Sequence, residues 1–311
     1  MISATSFVGL AAVLAQFVAG TIPSFPGAPT FPDDLQCLFE KPVLSCENTT
    51  TIKDTCCSPT PGGLVLQTQF WDTYTGLEDQ GQLLPDNSTW GIHGLWPDFC
   101  DGSFTQYCDI SRQYDPHPSP NVSNGINIPS YTGPTVDTFI KAFGRYDLLE
   151  YMNTFWINQG DTNAHFWAHE FSKHATCFST FDTKCYEPYI EHEDVINFFD
   201  TVIAAYKTFP TGKFLASAGI VPSNSTTYSL AAMQNAVKAH TGAIPYFGCT
   251  GPEAPNKDGR TIVDEVWHFN YVIGSPQQLN FKHIDSVTTS SCSPTGPIRY
   301  LERTPSSVRR K

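Results

Sequence analysis

The apolar positions of this chain change period twice. LVLQTQFWD (64–72) has few breakers and many residues that suit a sheet, which predicts a strand. After the polar loop GLEDQGQLLPDNST, WGIHGLW (90–96) predicts a second, shorter strand. From 135 to 156 the spacing turns helical, with apolar residues at 136, 139, 140, 143, 148, 149 and 152. Residues 163–177 predict the next helix, and 191–209 another that Pro210 stops. A last helix over 227–240 stops around Gly242. Strand signals return at AIPYFGC (243–249) and DEVWHFNYVI (264–273). Helices in the middle and strands at both ends predict an α+β fold: a central antiparallel sheet packed against several helices in one disulfide-stapled domain.

The remaining segments carry weaker patterns. Residues 1–20 hold no charged side chain and a short apolar core ending in small residues, which predicts a signal peptide rather than an anchor. Residues 21–36 are expected to form a Pro-rich leader, 37–298 the folded domain, and 299–311 a basic tail whose Ser-rich part, 302–311, is expected to be disordered. Residues 100–133 are loop-like. Ten cysteines, none in a CxxC pair, suit an oxidising compartment and disulfides rather than zinc. Sequons at Asn48, Asn87, Asn121 and Asn224 point the same way, to a secreted protein; an acidic vacuole fits equally. No other stretch is long enough to span a bilayer.

Charge narrows the partners. Lys and Arg total 18 against 30 Asp and Glu, a formal −12, and setting aside the basic tail leaves −16. Such a body does not gather polyanions by its overall field, which argues against a stable nucleic-acid binder. It leaves room for an enzyme that holds one phosphate locally and releases its product.

The densest chemistry lies in HFWAHEFSKHATC (165–177). A zinc HExxH needs histidines at i and i+4, but His169 and His174 are five apart. His165 and His169 are four apart and could share a cation only with a third ligand from elsewhere, against the charge of Lys173. Cys177 reads as a disulfide partner rather than a nucleophile. The helical spacing instead brings Glu170, Lys173 and His174 to one face: a carboxylate, a fixed positive charge and an acid/base near neutrality. That set suits phosphoryl transfer without metal or cofactor, given a second histidine from another segment. Taken alone, it also suits an ordinary charged helix face.

WGIHGLWPDFCDG (90–102) supplies a candidate in His93. Gly94 permits a close approach or unusual turn, and Pro97 stiffens the exit. Trp90 and Trp96 offer flat faces for a base or for a core. Asp98 can accept from a base edge or cap a turn.

With both patches in view, the chain resembles the ribonuclease T2 family, and closely its fungal members. HGLWP stands at 93–97, and HEFSKHATC at 169–177 is similar to the family's HExxKHGTC. The resemblance covers roughly 37–292 and implies a metal-independent endoribonuclease of little base specificity, acting as a monomer on transiently held RNA. It implies His93, Glu170 and His174 as catalytic residues, and Lys173 and His169 as phosphate or transition-state contacts. It implies Trp96, Asp98 and Phe104 in a main base site and Phe166 in a second, joined by Gln67 or Gln69. It also implies the bridges Cys37–Cys57, Cys46–Cys100, Cys56–Cys185, Cys108–Cys177 and Cys249–Cys292. Two positions depart from the family pattern. Ala175 replaces a usual Gly and could crowd a packed face, and Phe104 replaces a usual Tyr.

Overall fold

The computed structural model describes residue 37 and residues 41–47 and 51–309. The expected signal peptide, the leader, the Asn48 sequon and the last two residues lie outside the described residues. The strands are β1 (Leu64–Phe70), β2 (Gly91–Asp98), β3 (Val122–Ser123), β4 (Ile126–Asn127), β5 (Thr227–Tyr228), β6 (Tyr246–Glu253), β7 (Arg260–Val272), β8 (Phe281–Ile284) and β9 (Ile298–Arg299). The α-helices are α1 (Val136–Ala142), α2 (Tyr146–Phe155), α3 (Asn163–Lys173), α4 (Glu193–Thr208), α5 (Thr211–Ser217) and α6 (Leu230–Thr241).

One seven-stranded sheet runs β2-β1-β7-β9-β5, with β6 and β8 also on β7. All its pairs are antiparallel except β7 with β9. The 13-residue β7 is the spine. β1 pairs with Glu265–Tyr271 along one edge of β7, while β6 pairs with residues from Arg260 to Trp267 and β8 with Phe269–Val272 along the other. The helices cover one face, where Val65, Ile92 and Leu95 join Trp167, Phe171, Phe198 and Phe199 in the main core. On the other face Leu64, Leu66 and Phe269 pack with Trp96 and Trp267.

Alternation along β2 breaks at one point. Thr68 pairs with Gly94 and Gln69 with Ile92, so His93 has no partner on β1. This bulge lets Ile92 and Leu95, three apart, both enter the helix-side core, and re-aims His93 toward the opposite face. A one-residue irregularity of this kind leaves no mark in the hydrophobic pattern.

Several elements differ from the expectation. The helix expected over 135–156 is two helices, separated at Gly144, whose φ of 69° is left-handed. α3 stops at Lys173 rather than 177, and Ala175–Cys177 continue as a 3₁₀ turn. The expected disorder of 302–311 is not what residues 302–309 show. Arg303 is buried, donates to the carbonyls of Asp72, Pro85 and Asp86, and lies 4.1 Å over the Trp71 ring. Val308 bridges Leu84, and Arg309 donates to the Asn153 carbonyl. A buried guanidinium with carbonyl acceptors anchors the segment in a way that composition does not report.

The ten cysteines form five disulfides: Cys37–Cys57, Cys46–Cys100, Cys56–Cys185, Cys108–Cys177 and Cys249–Cys292. No helix among the described residues is long and apolar enough to cross a membrane.

Candidate active site

The site forms where α3 ends against the bulge of β2. His174 caps α3, its N–H donating to the Glu170 carbonyl at 3.2 Å. The Lys173 carbonyl accepts from the Tyr107 N–H, and the Cys108–Cys177 bridge ties the same two segments. The helix end is thereby fixed from outside. Ala175 is fully buried in the main core and has no left-handed backbone.

Glu170 is completely buried between the two histidines. Its Oε1 lies 3.5 Å from His93 Nε2, and its Oε2 lies 4.0 Å from His174 Nε2. Trp96 binds the three together. Its indole N–H donates to Glu170 Oε2 at 2.8 Å, and its ring stacks on His174 at 4.8 Å and meets His93 edge-on at 4.6 Å. Phe70 stacks on His93 at 3.7 Å. Gly94 is needed for this approach, because a Cβ there would stand 2.0 Å from Glu170 Oε2.

Burial moves every one of these groups toward its neutral form. Desolvation lifts Glu170 to about 7. It lowers His93 well below its ordinary 6.5, aided by the nearby charges of His169 and Lys173. His174 is lowered likewise by burial, then by Lys173, His169 and His93. Lys173 points its ammonium to His169 Nε2 at 3.5 Å, and His169 Nδ1 bonds Asp115 Oδ2 at 2.7 Å. Asp115 also accepts from the Tyr107 hydroxyl at 2.9 Å.

A cleft of about 410 Å³ opens beside the cluster, lined by His93, Trp96, Asp98, Phe104, Lys173 and His174 among others. Phe104 stands at its rim, 63 % exposed. Burial pushes Asp98 up to about 7, so below that pH its carboxyl both donates and accepts. Phe166 is not in the lining of this cleft; it lies against Phe70 and His93, with ring centroids 6.2 and 5.7 Å away. The structure does not bring Gln67 or Gln69 to the cleft. Both are fully buried, Gln69 donating to Gln67 and to the Phe209 carbonyl. Trp90 is core, its N–H donating to the Tyr300 hydroxyl.

Some site neighbours carried no signal in the sequence. Asp115 sits in a loop 54 residues before His169. Glu265 Oε2 lies 4.0 Å from His93 Nδ1 and accepts from the Trp267 N–H at 2.8 Å. Trp267, Val287 and Thr288 complete the cleft. Only the strand pattern around 264–273 hinted that a late segment crosses the sheet centre.

Comparison with known proteins defines the class. The model of the Ribonuclease T2 family matches residues 62–289. Ribonuclease T2 of Aspergillus oryzae is 34% identical over 291 residues, covering 93% of this chain and 88% of that protein. Ribonuclease Trv of Hypocrea rufa is 41% identical over 241 residues, covering 76% of this chain and 86% of its own. The crystal structure of Actibind, a T2 ribonuclease, superposes with a TM-score of 0.66 at 32% identity, covering 84% of this chain and 96% of that one. The chain belongs to the ribonuclease T2 family. It is an RNA-cleaving enzyme on the family's mixed α/β scaffold.

Proposed function

We propose that the protein is an exported endoribonuclease that cleaves single-stranded RNA by transesterification. The carrying observation is Glu170, buried between His93 and His174 within 4.0 Å of each. His174 takes the proton from the ribose 2′-OH, whose oxygen attacks phosphorus. His93 donates to the departing 5′-oxygen. The products are a 2′,3′-cyclic phosphate end and a 5′-hydroxyl, and the cyclic ester is then opened by water to a 3′-phosphate with the histidines in exchanged roles.

At acidic pH the Glu170 carboxyl, lifted to about 7, carries its proton. It then places no negative charge beside the phosphorane. Its Oε1 is buried without a hydrogen-bond partner, 3.5 Å from His93 Nε2. Lys173 and His169 supply positive charge to the same oxygens. The base before the cleaved bond stacks between Phe104 and the cleft wall with Asp98 at its edge, and the following base lies on Phe166. Stacking selects weakly, so base specificity is low. DNA, lacking the 2′-OH, is not cut. Export is consistent with the five disulfides and with exposed Asn87, Asn121 and Asn224 as glycan acceptors. Asn48 would be a fourth acceptor, and the enzyme acts as a monomer.

The test is release of cyclic phosphate from poly(A). His93→Ala and His174→Ala should each lose several orders of magnitude, and EDTA should change nothing. Near-normal cleavage by either variant would refute the assignment; loss in EDTA restored by Zn²⁺ would replace it with a metal hydrolase.

A further inference from the structure

A second cluster of ligating side chains stands at the start of α3. One ring nitrogen of His117, one of His165 and a carboxylate oxygen of Asp161 lie within 4.8 Å of one another. His165 Nδ1 and Asp161 Oδ2 are 2.9 Å apart, and the His117 and His165 rings meet edge-on at 5.4 Å. The geometry points to a divalent-cation site of the zinc class here, distinct from the catalytic cluster.

Two imidazoles and a carboxylate are the donor set of a borderline ion such as Zn²⁺, not of Ca²⁺ or Mg²⁺. At bond lengths of about 2.0–2.2 Å, tetrahedral ligand atoms stand about 3.3 Å apart. Asp161 and His165 are already near that spacing, and the ion replaces the proton they share. His117 is exposed, so its ring is free to close the remaining gap. The fourth position faces solvent and takes water.

The cluster is joined to the catalytic side by two hydrogen bonds. The His117 backbone N–H donates to Asp115 Oδ1 at 2.8 Å, and Asp115 Oδ2 holds His169 Nδ1 at 2.7 Å. His165 is one turn before His169 on the same helix. A bound ion therefore clamps the 115–117 loop to α3. It takes no part in proton transfer.

Co²⁺ titration followed by visible absorption tests this, with Zn²⁺ as competitor. The wild-type protein should bind one Co²⁺ in a tetrahedral, Zn²⁺-displaceable form. His117→Ala and His165→Ala should each weaken binding by at least about tenfold. His93→Ala should leave it unchanged. Bands that survive both cluster variants, or that vanish in His93→Ala, would overturn the site and assign any metal to the catalytic histidines. Absence of Co²⁺ or Zn²⁺ binding by the wild-type chain at millimolar metal would overturn it as well.

Discussion

Trp96 donates its indole N–H to Glu170 at 2.8 Å while its ring lies flat on His174. A tryptophan expected to serve the base is thus equally bound to the proposed catalytic groups. Trp96→Phe keeps a stacking surface and deletes the donor to a buried carboxylate. The missing bond is worth about 1–3 kcal/mol, so kcat should fall about 5- to 150-fold with KM less affected. Kinetics on a dinucleoside phosphate decide it; a raised KM at unchanged kcat would make Trp96 a base platform alone.

Gly94→Ala should be far more damaging than its size suggests. The added methyl would meet Glu170 Oε2 at 2.0 Å, and the carboxylate would have to leave its place between the histidines. We expect kcat to drop at least about 100-fold, since misplaced catalytic groups lose their orientation advantage. Circular dichroism should show a native fold, and near-normal turnover would count against the arrangement.

The pH dependence follows from the lowered histidines. In the proposed mechanism His93, as general acid, must be protonated, and burial with the charges of His169 and Lys173 holds it well below 6.5. Activity is therefore lost as pH rises through that depressed value. His174, lowered as well, remains a competent base into the acid range. The kcat/KM profile should be a bell centred on the acid side, and an optimum above pH 7 would contradict it. Lys173→Met removes a positive neighbour, so it should lower turnover and move the alkaline limb upward.

Phe104 stands exposed at the mouth of the cleft, where stacking on a base is worth about 1–3 kcal/mol. Phe104→Ala should raise KM about 5- to 150-fold with little change in kcat, and Phe104→Tyr should be close to neutral. Steady-state kinetics across the four bases separate this from a general loss of fold.

Arg303 offers a test of stability rather than chemistry. It is buried, with three carbonyl acceptors and the Trp71 face around it. Arg303→Met strands those acceptors and should cost about 2–4 kcal/mol in urea unfolding. An unchanged midpoint would restore the view of the C-terminal segment as an appendage.

These contacts also mark the border of what the sequence discloses. Glu170, Lys173 and His174 were legible because a helix of fixed pitch places them on one face. His93 was legible as a motif, and β1 and β7 as strands. Asp115 and Glu265 were not, since each reaches the site through contacts that span large parts of the chain and leave no local pattern. Gln67 and Gln69, which the resemblance offered to the second base site, are fully buried and bonded to one another beneath the helices. Arg303 misled by charge, which predicts solvent until carbonyls are found to surround it.

The bulge at His93 separates the inheritance of the fold from the inheritance of the activity. Thr68 and Gln69 are consecutive, and their partners Gly94 and Ile92 are separated by His93 alone. Deleting codon 93 would join Ile92 to Gly94 and leave a regular ladder, with Leu95 and Trp96 still on their own faces. His93 is, in effect, an insertion that the sheet tolerates. On the proposed mechanism, a lineage could discard it in one event, keep the fold and lose the activity.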